Sequence, residues 1–369
     1  MNGVSSGFLR GIALASLLLL LSLCGIFTIF NGSGTWGSPL EPTFRQLFCI
    51  ALGYGAFFAA RRMPSDFFFG RRTIWITAAV GWFFVALLAV WGSRIHGMRG
   101  WYRYGVWSVQ PVDIVKGVYL AVLCAVLSQK SERRFAAAFA FAALWIAPIL
   151  FQPDFSTAMI HLGILVALAF LAGCRWRYAV AMLAFSCATG ALFIGMKPYA
   201  WRRIAAFFSP DSLQSNWHMM QFEMTLARGG WFGAHPGRAV WSNHYLPFAY
   251  NDSAYATLSE TLGFCGALVV WGLFIAVVAL LLHEAKAPGR DAFARLYAEG
   301  TAIWIAFQAL IHASVNLTLL PPTGLTLPFV SFGGSSIVGF FLMAGWAMAS
   351  GNDARNGPCG SGKNERDEK

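Results

Sequence analysis

Charge is what this 369-residue chain has least of: Asp, Glu, Lys and Arg together make up 12% of it, about half the share of a soluble domain. With 57% hydrophobic residues beside them, that scarcity excludes an ordinary water-soluble globule. Acids are scarcer still, 16 against 27 Lys and Arg, for a net charge of +11. Metal-type cysteine spacing is missing as well. Six of the seven cysteines (Cys24, Cys49, Cys124, Cys174, Cys187, Cys265) lie in or beside apolar runs and Cys359 in the C-terminal tail, so they read as small buried hydrophobes. No Walker loop, dinucleotide fingerprint, zinc spacing or Gly-Xaa-Ser-Xaa-Gly elbow occurs, and no nucleic-acid partner is expected. No clear small-residue cleavage site follows the apolar run Gly11–Phe30, which reads as a retained first helix.

What is present is apolar length. Ten runs are long enough to span a bilayer, at about 11–31, 44–60, 73–91, 111–128, 135–151, 156–172, 177–195, 253–283, 298–319 and 331–350. Lipid offers no partner to backbone N–H and C=O groups, so the expected fold is an all-α polytopic membrane protein of about ten helices. Residues 1–350 form one transmembrane domain with a large extracytoplasmic loop, 196–252, between helices 7 and 8, and 351–369 is expected to be a disordered cytoplasmic tail. Arg61, Arg62, Arg71 and Arg72, then Lys130, Arg133 and Arg134, then Arg175 and Arg177, then Lys286, Arg290 and Arg295 fall on one side. The positive-inside rule makes that side cytoplasmic, and an even number of spans brings both termini there.

Two outer segments break the rule. Arg94, Arg99 and Arg103 cluster in one; Lys197, Arg202, Arg203, Arg228 and Arg238 lie in the other. Two readings stay open: Arg side chains reaching lipid headgroups, or Arg forks that bind a phosphate or pyrophosphate. The near-sixty-residue second loop is long for a connector.

Acids beside the spans narrow the search. Asp113 and Lys116 stand one turn apart after Gln110 and Pro111, where they can pair. Asp154, in Gln152-Pro153-Asp154, suits either a helix cap or a substrate contact. Asp252, between Asn251 and Ser253, is either an N-cap or a partly desolvated carboxylate suited to take a proton from a substrate hydroxyl. Glu260 lies two turns deeper, and an intramembrane acid usually faces a polar interior. The stretch from Leu320 to Ser336, with Pro322, Gly324, Pro328, Ser331, Gly333, Gly334 and Ser335, reads as a broken segment buried between the last two helices. His161 and His312 lie inside spans without obvious sequence partners and read as hydrogen-bonded packing residues.

In this order and spacing the chain resembles the SEDS family (shape, elongation, division and sporulation; the RodA, FtsW and SpoVE proteins) from first helix to last. The likeness rests on Gly97 to Trp101, Gln110-Pro111 with Lys116, Gln152-Pro153-Asp154 with Thr157-Ala158, Pro198-Tyr199 with Arg202-Arg203, and Phe207 to Pro210. It continues through Gln221, Gly229-Gly230, Phe232-Gly233, Leu246-Pro247 with Asp252, Glu260 with Leu262-Gly263, and Pro322 to Ser336. The resemblance implies a ten-helix peptidoglycan glycosyltransferase that polymerises lipid II on the outer face of the bacterial cytoplasmic membrane for elongation, division or sporulation. It also implies a class B penicillin-binding protein as partner, with other elongasome or divisome membrane proteins. Asp252 aligns with the family's essential carboxylate and Trp101 with its essential tryptophan; Arg99, Lys116, Asp154, Arg202, Arg203, Gln221 and Glu260 are the expected substrate-side residues. A divalent cation, Mg or Mn, is a candidate aid to pyrophosphate departure. The chain departs from the family pattern at Phe248, Tyr250, Asn251 and Ser253 around Asp252, at Gly100 where Arg is usual, at Trp217-His218 before Gln221, and at Ser156. Two rivals remain: a non-catalytic SEDS scaffold for the transpeptidase, and a lipid II flippase.

Overall fold

Each of the ten apolar runs coincides with a helix in the computed structural model, which describes residues 2–32, 40–63, 71–95, 98–105, 107–196, 213–234 and 239–349, with 201, 205, 207 and 208 besides. In chain order these are α1 (Asn2–Gly32), α2 (Leu40–Arg62), α3 (Arg71–Trp91), α4 (Pro111–Leu127), α5 (Arg134–Phe151), α6 (Phe155–Leu171) and α7 (Trp176–Met196). Next come α8 (Leu213–Gly229) and the five-residue α9 (Val240–His244), both in the long loop, then α10 (Ala254–Ala285), α11 (Ala292–Asn316) and α12 (Gly334–Ala349). Five of them, α1, α2, α3, α5 and α10, are long and apolar enough by themselves to cross a membrane. The tail 351–369, Arg202 and Arg203 lie outside the described residues.

Local chemistry sets the ends. Pro111 occupies the first turn of α4, where its missing N–H costs nothing. The Asp154 carboxylate caps α6 by accepting the Thr157 N–H at 3.1 Å, and Asp291 caps α11 through the Ala294 N–H at 2.8 Å. One element escaped the sequence reading: a three-stranded antiparallel sheet in the first outer segment, with β1 (Ser93–Ile95), β2 (Met98–Tyr104) and β3 (Trp107–Val109) in the order β1-β2-β3. Arg99 and Trp101 are therefore strand residues, with Ser93 opposite Trp101.

The bundle closes by small-residue contact between elements distant in sequence. A Cβ on Gly53 of α2 would stand 2.5 Å from the Phe341 ring of α12, and one on Gly345 of α12 would stand 2.5 Å from the Phe57 carbonyl of α2. Glycine lets these backbones approach and gain dispersion where lipid supplies no hydrophobic drive. Gln46 of α2 adds a hydrogen bond from Nε2 to the Ser331 carbonyl at 3.0 Å, across 285 residues of chain.

Helix α10 is interrupted. Gly263 has φ 69° and ψ −172°, which breaks the ladder after two turns. The turn after α8 takes up backbone groups freed there: the Ala234 N–H donates to the Glu260 carbonyl at 2.7 Å, and the Phe264 and Cys265 N–H groups donate to Gly230 and Trp231 at 2.9 and 3.1 Å. A Cβ at Gly263 would collide with the backbone of Trp231, Phe232 and Gly233. The long loop is thus locked onto the first two turns of α10, the turns that follow Asp252.

Candidate active site

A cavity of about 150 Å³ opens among β2, the N-termini of α4 and α6, the middle of α11 and the Pro321–Thr326 stretch. Trp101, Gln110, Asp113, Lys116, Asp154, Pro322 and Gly324 line it, so the two ends of the chain's sequence signatures converge on one space. Lys116 is 2% exposed. Its ammonium lies 3.5 Å from Asp113 Oδ1, 3.4 Å from the Ser336 carbonyl and 3.2 Å from the centre of the Phe340 ring. The pairing expected between Asp113 and Lys116 is thus formed, and it sets a buried amine between one carboxylate and an aromatic face beside the cavity.

Asp154 takes the capping role read from sequence, and it also lines the cavity and accepts a hydrogen bond from Gln110 Nε2 at 3.2 Å. Burial, above all, lifts its carboxyl above the usual aspartate range, while the bonds from Thr157 pull it back. Gln110 also receives the loop, its N–H donating to Ser335 Oγ at 3.3 Å.

Asp252 sits at the edge of this arrangement, half-buried, one residue before the N-cap of α10. A Cβ on the cavity-lining Gly324 would stand 3.7 Å from Asp252 Oδ2. The first N–H groups of α10 go to side chains of α11: Tyr255 N–H to His312 Nε2 at 3.3 Å, and Ala256 N–H to Asn316 Oδ1 at 3.0 Å. The work of an N-cap is done by a neighbouring helix, and no side-chain cap comes from Ser253, whose hydroxyl bonds to the Pro247 carbonyl.

These α11 residues form a polar stripe that sequence reading passed over. Gln308, His312 and Asn316 recur every four residues on one face. Gln308 Nε2 donates to the Thr326 carbonyl at 2.9 Å, and His312 Nδ1 meets the Leu325 carbonyl at 2.7 Å, so Nδ1 carries the proton and neutral Nε2 accepts from Tyr255. Asn316 Nδ2 donates to the Asp252 carbonyl at 3.0 Å. His312 is thus a packing residue, as expected, but one that ties Leu325, next to Gly324, to the first turn of α10. His161, with Nδ1 on the Thr157 carbonyl and its ring edge-on to Trp304, also lines the cavity.

The Pro322–Ser336 signature is buried from Leu327 to Ser331, whereas Gly324 is exposed, and the buried part is knitted to the Asp252 turn. Ser331 Oγ accepts the Leu327 N–H at 2.8 Å and donates to the Asn251 carbonyl at 2.7 Å, and the Phe332 N–H donates to Tyr250 at 2.7 Å. Pro328, Gly333 and Gly334 carry this chain around to α12, which starts at Gly334, three residues later than read.

The other expected site residues gather elsewhere. Arg99 donates to the Ala89 carbonyl at 2.7 Å, an acceptor left open at the end of α3, and does not line the cavity. Glu260 is fully buried; its carboxylate accepts the N–H groups of Trp241 and Ser242 at 3.0 and 2.7 Å together with the Ser242 hydroxyl, and lies 3.6 Å from Arg228. It therefore caps α9. Gln221 Oε1 accepts from Trp241 Nε1 at 2.9 Å, so Gln221 and Glu260 together hold α9 against α8 and α10. Among the described residues no group of three or more His, Cys, Asp or Glu is placed to hold a metal ion.

Residues 10–351 match the family model described as "Cell cycle protein", built on FtsW, RodA and SpoVE. Among curated relatives, the chain is 32% identical over 351 residues, 90% of this chain and 86% of the other, to a protein of Alkalilimnicola ehrlichii named probable peptidoglycan glycosyltransferase FtsW. A protein of Coxiella burnetii with the same name is 30% identical over 82% of this chain and 84% of its own. In fold, the chain superposes with a TM-score of 0.79 on a chain of a peptidoglycan synthase complex, studied for its coordination of polymerization and crosslinking, at 24% identity over 94% of this chain and 98% of that one. It superposes with a TM-score of 0.69 on the rod-shape-determining protein RodA of Thermus thermophilus, at 20% identity over 93% and 97% of the two chains. The ten helical runs, the Pro322–Ser336 segment between the last two of them and the match over nearly the whole chain place this multi-pass membrane protein in the FtsW, RodA and SpoVE family of cell cycle proteins.

Proposed function

We propose that this protein polymerises lipid II into glycan strands at the outer face of the bacterial cytoplasmic membrane, with both termini cytoplasmic and a class B penicillin-binding protein as its cross-linking partner. The observation that carries the reading is the Asp252 carboxylate, set beside the cavity-lining Gly324 while His312 and Asn316 take over the capping of α10. A carboxylate so placed is a proton acceptor held in position by its backbone.

In this reading Asp252 takes the proton of the acceptor sugar hydroxyl as that oxygen attacks the anomeric carbon of the donor. The bond from that carbon to the pyrophosphate oxygen breaks, and the negative charge that develops needs fixed cations. Lys116 supplies one from inside the cavity, and Arg202 and Arg203 are the candidates from the outer segments, Arg99 being engaged with the Ala89 carbonyl. Trp101, Gln110 and Asp154 shape the cavity wall, whereas Gln221 and Glu260 act through α9 by fixing the loop that leads into Asp252. A divalent cation would supply further positive charge at the pyrophosphate, beside the carboxylates of Asp113 and Asp154 that line the cavity.

The deciding experiment is polymerisation of labelled lipid II by the purified protein, alone and with its penicillin-binding partner. Glycan chains from wild type and none from Asp252→Asn are the expected result. Lipid movement across vesicles without bond formation would replace the enzyme by a flippase, and no synthesis by either form, with growth supported by both, would replace it by a scaffold.

A further inference from the structure

A second cavity lies at the opposite end of the bundle. Helix α4 begins at the candidate site and ends seventeen residues on, ~25 Å along its axis, next to a cleft of about 1010 Å³ between the α4–α5 connection, the α6–α7 connection and the facing sides of α5 and α7. Its rim carries Lys130, Arg134 and Arg175 against one acid, Glu132, and the hydroxyl-bearing Tyr178. Its floor is apolar, where Phe139 of α5 meets Phe185 of α7 edge-on with ring centres 5.5 Å apart.

The three cations are not equivalent. Arg134 is committed to the protein: its guanidinium donates to the Leu127 and Gln129 carbonyls at 3.3 and 2.8 Å and to the Ala172 carbonyl at 2.9 Å, closing the C-terminal ends of α4 and α6. Lys130 and Arg175 make no ion pair among the described residues and stand exposed on two different connections that Arg134 holds together. Two uncommitted cations over an aromatic floor, at the level where apolar helices meet polar connections, suit a molecule with an anionic head and a hydrocarbon body.

We propose that this cleft binds one anionic phospholipid, its phosphate between Lys130 and Arg175 and an acyl chain on the Phe139–Phe185 floor. A free phosphate would use the rim and leave the floor bare, whereas a zwitterionic lipid would bring an ammonium toward three cations; the anionic lipid satisfies both parts. The site is independent of the proposed polymerase activity, since it shares no residue with the Asp252 cavity.

The test is native mass spectrometry of the full-length protein in detergent, titrated with phosphatidylglycerol or phosphatidylcholine of the same acyl chains. The expected result is one phosphatidylglycerol retained per chain at concentrations where phosphatidylcholine is lost, a drop of at least ~5-fold in retention for Lys130→Gln with Arg175→Gln, and near-normal retention for Lys130→Arg with Arg175→Lys. Arg177→Gln, in the first turn of α7 but off the cleft, should leave retention unchanged. Equal retention of the two lipids, unchanged retention by the Gln double variant, or an equal loss with Arg177→Gln would overturn the proposal. So would displacement by millimolar glycerol 3-phosphate, which would make this a soluble phosphate site.

Discussion

Asn316 grips the turn that carries Asp252 from both sides of the helix start: its amide nitrogen donates to the Asp252 carbonyl at 3.0 Å, and its amide oxygen accepts the Ala256 N–H at 3.0 Å. One side chain on α11 thereby fixes the backbone of the candidate base and caps the helix behind it. A third bond, from Nδ2 to the His312 carbonyl at 2.9 Å, holds the amide in register.

Asn316→Ala should cost about 1–3 kcal/mol of stability, the usual penalty for stranding buried polar groups, and should lower polymerisation by more than the loss of folded protein explains. Thermal unfolding and lipid II turnover at matched folded concentration measure the two parts. A variant with reduced melting temperature but full turnover per folded molecule would show that the Asp252 turn holds itself.

Asp252→Asn should leave folding intact, because the N–H groups of Tyr255 and Ala256 are bonded to His312 and Asn316. Polymer yield should fall by ~10²–10⁴-fold, as for loss of an acid–base group. Equal melting temperatures with unequal gel ladders are the expected pair of observations; wild-type ladders from the variant would move the search for the base to another carboxylate.

Gly263→Ala combines a φ of 69° and ψ of −172°, a region open essentially to glycine and costing about 1–3 kcal/mol for a residue with a Cβ, with a collision against the backbone of the turn after α8. The monodisperse fraction after detergent extraction should fall sharply, and Gly272→Ala, where a Cβ meets open space, should extract normally. Similar profiles for the two would mean that the break in α10 relaxes without strain.

Asp154 gives a pH signature. Burial raises its carboxyl in the folded protein, so between the ordinary aspartate value and the raised one the folded state holds a proton that the unfolded chain has lost. The contribution of Asp154 to stability therefore falls as pH rises through that window and is recovered as pH drops back through it. Asp154→Asn keeps an acceptor for the Thr157 N–H and removes the titrating group, so its melting temperature should depend less on pH there. Parallel wild-type and variant profiles would assign the pH dependence to other groups.

The helices were legible because lipid forces each apolar run to satisfy its own backbone, and the cavity was largely legible because Gln110, Lys116, Asp154 and the Pro322–Ser336 segment sit at helix ends that must converge. The small sheet was not. Its strands are only three to seven residues long and rich in Arg, Trp and Tyr, so their composition matched an interfacial loop equally well. The roles of Arg99 and Glu260 were also hidden, since each bonds to backbone groups of a neighbouring element, the Ala89 carbonyl and the Trp241 and Ser242 N–H groups, that no side-chain pattern announces. The Gln308–His312–Asn316 stripe was readable, as three polar residues at four-residue intervals inside an apolar span, and His312 looked isolated only when its neighbours at ±4 were left out.

The contact of α2 with α12 has a consequence in time. Gln46 and the Ser331 carbonyl that it holds are separated by 285 residues, which a ribosome takes on the order of tens of seconds to make. Throughout that interval Gln46 and the glycine notch at Gly53 sit in the bilayer without the partner that later covers them. Something else must shelter that polar amide until the last helix is delivered, whether the insertion machinery, a lipid headgroup or an earlier helix of the same chain. The face that finally makes the protein one body is thus the face that waits longest, and damage to it would be expected to appear as lost molecules during synthesis rather than as slow ones afterwards.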